Sequence, residues 1–133
     1  MPLKTAVVKT GATLAPTGGS DLTFADLGTI GSSVALAVPA DTDLRLRRTV
    51  IGGFKSPKPN AGSPNGYTQA RANLVFKKPK LLANGKLTVN TIQVSIAYDW
   101  ETTDAEKTEL LDVAAQMCFD TDFTPFFKQL NPA

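Results

Sequence analysis

Over residues 87–100, apolar and polar side chains alternate almost without a break. Ile92, Val94, Ile96, Tyr98 and Trp100 fall on one side, and Thr91, Gln93, Ser95, Ala97 and Asp99 on the other. A period of two belongs to a β-strand with one dry and one wet face, because only a strand sends successive side chains to opposite sides. Two earlier stretches repeat the pattern. Residues 44–55 set Leu44, Leu46, Val50 and Phe54 against Arg45, Arg47, Thr49 and Lys55, with Arg48 as the exception. Residues 67–76 set Thr68, Ala70, Ala72, Leu74 and Phe76 against Tyr67, Gln69, Arg71, Asn73 and Val75. The stretch between them, residues 56–66, holds three Pro and two Gly and reads as a surface connection. Asn84-Gly85 is a hairpin-turn signal, so residues 77–86, with Lys77, Lys78, Lys80, Asn84, Gly85 and Lys86, are expected to project as a hairpin tip. Three strands of one arrangement predict an antiparallel sheet with an apolar and a polar face.

The flanks complete an α+β chain. Residues 3–9 alternate and end at Gly11, residues 16–21 form a turn by composition, and residues 22–27 supply a return strand, which predicts an N-terminal hairpin within residues 1–30. The apolar run 34–38 is too short for a helix between Gly31-Ser32-Ser33 and Pro39, and is either a buried strand or a crossing loop. Thr103-Asp104-Ala105-Glu106 is a capping box that starts a helix carrying Leu110, Leu111, Val113, Ala114, Met117 and Cys118, with Cys118 packing as a small hydrophobe. Thr124 is expected to cap a second, short helix with Pro125 at its first position, ending at Asn131-Pro132. Two helices cover only part of a wide sheet, so a second copy is expected to cover the rest. At 133 residues the chain is expected to form a single domain: hairpin 1–30, sheet 31–100 and helical region 101–133.

Charge is unevenly spread. Residues 45–86 contain ten Lys or Arg and no acid, whereas the flanks hold four bases and all twelve acids, so a net charge of +2 divides into +10 and −8. Such a block implies an anionic partner, nucleic acid being the commonest, and a solvated basic face is the plain alternative. With no His and one Cys, the chain has no Cys/His zinc site, no Ser-His-Asp triad and no internal disulfide. Asp41-Thr42-Asp43 and Asp120-Thr121-Asp122 offer oxygen ligands but fall short of a calcium shell and read as solvated turns. Asp99 and Glu101 suit a helix start better than a carboxylate pair, and Gly52-Gly53 lies inside a strand rather than in a phosphate loop. The expected protein is not an enzyme and has no cofactor, metal, small-molecule substrate or membrane span. The first residues lack a signal-peptide core, which predicts cytosolic synthesis.

Hairpin, meander of polar-faced strands, Thr103-Asp104-Ala105-Glu106 helix start and the ending Gln129-Leu130-Asn131-Pro132-Ala133 together resemble the coat proteins of single-stranded RNA bacteriophages. Arg47-Arg48-Thr49-Val50 entering a long strand, and Val94-Ser95-Ile96 leading into Thr102-Thr103-Asp104, carry the same resemblance. It covers the whole chain in architecture and short patches in identity. The resemblance implies an N-terminal hairpin, a five-stranded antiparallel sheet and two helices. It also implies an intertwined dimer joined sheet edge to edge, with each subunit's helices laid over its partner's sheet, and an icosahedral, T=3-like shell around single-stranded genomic RNA. That shell would be the virion capsid, assembled in the bacterial host cytoplasm.

Carried over by position, the implied RNA-binding face comprises Arg45, Arg47, Thr49, Lys55, Gln69, Arg71, Asn73, Thr91, Gln93 and Ser95, and an operator stem-loop bound there would repress translation. The tip would gather at the shell's symmetry axes. Ile51 and Gly53 stand where better-studied members use polar or charged residues, and no aromatic lies near residues 89–91 to stack on a base. General RNA packaging is therefore favoured over recognition of one hairpin. The other readings are a nonviral β-rich module for single-stranded nucleic acid, which would usually expose sheet aromatics where this chain has only Tyr67, and a tail or decoration protein without RNA, which the basic block disfavours.

Overall fold

In a computed structural model, residues 6–10, 18–119, 121 and 123–130 are described, Phe119 by its backbone alone. Residues 19–100 form one compact unit, and the segments up to residue 18 and from residue 101 form another.

The first unit is a five-stranded antiparallel meander in which sequence order is spatial order: β1 (Ala25–Ile30), β2 (Ser33–Ala37), β3 (Thr49–Lys55), β4 (Ala70–Leu81) and β5 (Leu87–Tyr98). A hairpin opens the sheet, but it is made by β1 and β2 around Gly31-Ser32. Gly31 takes a positive φ of 58° there, which a side chain would resist. The strand expected over residues 3–9 is not its partner: Ala6 to Lys9 lie outside any strand, and residues 3–5 lie outside the described set. The short apolar run resolves as strand β2, whose last residue, Ala37, is buried together with Val38 just after it.

Strand ends differ from the periodicity reading at several places: β4 begins at Ala70 rather than Tyr67, and β5 ends at Tyr98 rather than Trp100. Residues 44–46 form a turn, so β3 begins only at Thr49. Conversely, β4 runs on to Leu81, and Lys77, Lys78 and Lys80 pair across to Thr91, Asn90 and Thr88, so these lysines lie in the paired strands that lead to the tip rather than in its turn. The turn itself is confined to residues 82–86. Leu82 N–H donates to the Lys86 carbonyl at 2.8 Å, Lys86 N–H donates to Asn84 Oδ1 at 3.0 Å, and Gly85 supplies the positive φ of 82°.

The second unit holds α1 (Asp104–Phe119) and α2 (Thr124–Gln129). The predicted capping box forms, with Glu106 N–H donating to Thr103 Oγ1 at 3.3 Å and Thr103 N–H donating to Glu106 Oε1 at 3.5 Å. The predicted apolar stripe is less covered than its spacing suggests. Leu110, Leu111 and Met117 are exposed, and so is Cys118, which does not pack as a core residue. Among the described side chains of α1 the buried one is Gln116, whose amide accepts from Lys9 N–H at 2.7 Å and donates to the Lys9 carbonyl at 2.6 Å. A strand-like pair of bonds thus ties the N-terminal segment to the helix. In α2, Thr124 is the first helical residue and Phe123 occupies the cap position, one place earlier than expected. Leu130 ends the helix in the left-handed conformation, and its N–H donates to the Pro125 carbonyl.

Candidate nucleic-acid interface

Paired residues in an antiparallel ladder point to the same side, so the register assigns every side chain of the three long strands to a face. One face stacks Leu36, Val50, Phe76 and Ile92, then Val34, Gly52, Leu74 and Val94, then Phe54, Ala72 and Ile96. Gly52 leaves room in that row for Leu74, whose Cδ2 lies 2.9 Å from where a Cβ would stand. The opposite face stacks Ala37, Thr49, Lys77 and Thr91, then Ala35, Ile51, Val75 and Gln93, then Ser33, Gly53, Asn73 and Ser95, then Lys55, Arg71 and Ala97.

Seven of the ten residues expected at an RNA face are therefore brought together: Thr49, Lys55, Arg71, Asn73, Thr91, Gln93 and Ser95. Gln69 stands just before β4 and lines an adjoining cleft with Lys55, Lys58, Thr68 and Arg71. An open depression of about 440 Å³ is lined by Gly53, Lys55, Arg71, Asn73, Gln93 and Ser95 of this face, among others. A Cβ on Gly53 would stand 3.3 Å from Asn73 Oδ1, so glycine lets that amide lie across the strand.

The strand register does not reach Arg45 and Arg47. Both lie in the segment before β3, where the nearest acids in sequence engage the arginines. Asp43 takes Arg45 Nε at 3.4 Å and NH2 at 3.2 Å, and the Arg45 guanidinium beside it holds the Asp43 carboxyl below its ordinary range. Asp41 accepts from Arg48 N–H, Nε and NH2 at 3.0, 2.9 and 3.0 Å, while its carbonyl accepts from Arg47 Nε at 3.0 Å. Those bonds from Arg48 push the Asp41 pKa down to about 2 and raise that of Arg48. The two carboxylates considered as cation ligands are thus taken by guanidinium groups, and the block's charge is partly neutralised from just outside it. Asp120 and Asp122 lie outside the described residues.

Lys77 joins the polar face between Thr49 and Thr91, where the sequence reading had put it in the tip. The signal was present, since Arg71, Asn73, Val75 and Lys77 continue one alternation past Phe76. Lys58 was likewise missed. It is held at the cleft by paired bonds with Thr68, whose N–H donates to the Lys58 carbonyl at 2.8 Å and whose Oγ1 accepts from Lys58 N–H at 2.9 Å.

Lys55 and Arg71 stand directly opposite one another across β3 and β4. Like charges so placed repel, and an anion lying between them reverses the sign of that interaction. Next to this pair, Asn73 and Ser95 offer neutral donors and acceptors, with Gln93 and Thr91 beyond them. The face can therefore bind a phosphate at one end and exposed base edges along its length. Base stacking is not part of its repertoire. Among the described residues the polar rows contain no aromatic, and Tyr67 is set edge-on against Trp100 at 5.4 Å between ring centres.

The whole chain is similar to a solved structure, a chain of the virus-like particle of bacteriophage GQ-907, at 30% sequence identity over 98% of both chains and with a TM-score of 0.87. A chain of the virus-like particle of bacteriophage AVE019 shares the fold at 11% identity, over 81% of this chain and 85% of that one, with a TM-score of 0.62. No protein-family model matches the sequence, and no curated protein matches it.

Proposed function

Since the chain belongs to the coat proteins of the single-stranded RNA bacteriophages, we propose that it acts as one structural capsid domain that dimerises, closes into an icosahedral shell and packages RNA on its polar sheet face. The observation that carries the RNA reading is the juxtaposition of Lys55 and Arg71 beside the Asn73 and Ser95 row. Two cations one strand apart, without an acidic partner among the described residues and next to a ladder of small polar groups, suit a phosphate followed by unpaired bases. Packaging of RNA in general fits this face better than tight recognition of one operator hairpin, because the rows offer hydrogen bonds without a stacking ring.

Dimerisation is supported by the sheet's outer strand. β5 is twelve residues long, pairs on one side only among the described residues, and exposes Ile92 and Val94 on the apolar face. A long, exposed, apolar edge is a liability that proteins normally cover or pair. Antiparallel pairing of β5 with β5 of a second copy satisfies its backbone groups and extends both faces across the two subunits. Shell closure and a place in the virion follow from membership of the family, with assembly in the host cytoplasm where the RNA is made.

Salt dependence tests the RNA face. For single-stranded RNA, log affinity falls with log salt by about 0.7 for each phosphate contacted. Arg71→Ala and Lys55→Ala are each expected to lower that slope by about 0.7. Arg45→Ala is expected to leave it unchanged, because Asp43 already holds that guanidinium. An unaltered slope in both Arg71→Ala and Lys55→Ala would remove this face from RNA binding.

A further inference from the structure

The basic residues do not all point one way. Lys78 and Lys80 lie on the apolar side of β4, beyond Phe76, opposite Asn90 and Thr88, and away from the face that carries Arg71 and Lys77. With Arg48 they line an open depression of about 640 Å³ at the hairpin end of the sheet. Arg48 is already engaged by Asp41, but among the described residues neither Lys78 nor Lys80 has an acidic partner. The depression is therefore a cationic site on the side away from the proposed RNA face.

Carboxylates of matching sign and position occur in the chain itself. The first turn of α1 carries Asp104 and Glu106, and neither forms an ion pair among the described residues. Antiparallel pairing at the β5 edge places the Tyr98 end of one strand beside the Leu87 end of its partner, with both apolar faces on the same side. Two strand spacings, about 10 Å, then separate that end from the partner's β4. Five residues, Asp99 to Thr103, join Tyr98 to Asp104 and reach up to about 20 Å when extended. Within one copy, Lys78 and Lys80 pair with Asn90 and Thr88, eight and ten residues back along β5 from Tyr98, or about 30 Å. The partner's lysines thus lie about 20 Å nearer to that strand end than the same copy's lysines do.

We infer that Asp104 and Glu106 of one copy dock on the partner's Lys78 and Lys80, twice per dimer, and that these charges help fix the register in which the two sheets join. The inference rests on the β5-edge dimer proposed above. A one-step slip of the edge would move every Lys out of line with its carboxylate and turn apolar rows outward, so charge and apolar pattern select the same register.

Carbodiimide coupling joins a carboxylate and an ammonium group that are in contact. Applied to dimers assembled from a mixture of light and nitrogen-15 protein, it is expected to give peptides joining Lys78 or Lys80 to Asp104 or Glu106 with one partner of each isotope. Dimers that cross-link elsewhere between copies, but not here, would overturn the inference and leave the dimer standing. The same holds for links found only within a copy. A protein that sediments as a monomer removes both readings. Independently, K78E/K80E is expected to weaken the dimer by roughly tenfold or more in sedimentation at low salt, from four exposed pairs lost. An unchanged dimer would overturn the docking, and an accompanying fall in bound RNA would reassign the two lysines to phosphate.

Discussion

Asp41 organises the entry to β3 through one carboxylate and one carbonyl, which between them hold Arg47 and Arg48. Its side chain is 20% exposed, and the geometry with Arg48 is bidentate, the arrangement in which a guanidinium and a carboxylate gain most from each other. Because the folded pKa, about 2, lies below the ordinary 3.8, the unfolded chain binds the proton more readily, and stability from this group is present above pH 3.8 and lost as pH falls through about 2. Asp41→Asn should therefore lower the melting temperature by a constant amount from neutral pH down to about 4, and the gap to the unmodified protein should close between there and about 2. Melting curves across that range check it; a gap that survives undiminished at the acid end would show that the bonds to Arg48 do not act through charge.

At the scale of elements, what the sequence disclosed was what is local. The alternation of β5 and the Thr103–Glu106 capping box involve neighbours a few residues apart, and both form, the strand stopping at Tyr98, two residues short of the reading. The extension of β4 was hidden because Pro79 and three lysines look like a turn, although a proline can pair at Val89 without a donor of its own. The polar face could be listed by parity, but the directness of Lys55 opposite Arg71 depends on how residues 56–69 fold back, and no periodicity encodes that. The pairing of Arg45 with Asp43 depends on a turn that sets the two side by side. Least legible was the amide of Gln116, whose partner lies 107 residues away. Gln116→Leu leaves both the N–H and the carbonyl of Lys9 without these bonds, and is expected to cost about 1–3 kcal/mol in a denaturant titration. A change of only a few tenths would mean that water replaces the amide freely and that the N-terminal segment is not held by it.

At the scale of the molecule, the exposed rows bear on the proposed assembly. On the apolar face Ile92 is 61% exposed, Leu74 56%, Phe54 55% and Val94 44%. Covering each half-exposed side chain is worth roughly 1 kcal/mol, and pairing two copies doubles the number covered. A charge placed in this row costs little while the row faces water, since substitutions at exposed positions usually shift stability by no more than about 0.5 kcal/mol. The penalty arises on assembly, when the ammonium group must leave water without a partner. Ile92→Lys is therefore expected to abolish closed particles in electron micrographs and dimers in sedimentation. Gln93→Lys, one residue along and on the opposite face, is expected to keep the particles and raise their RNA content, because the added charge there meets phosphate. Intact shells from Ile92→Lys would show that the apolar face is not covered on assembly. Loss of shells from both variants would place Gln93 too in a protein contact, and the division of the sheet into an assembly face and an RNA face would not hold.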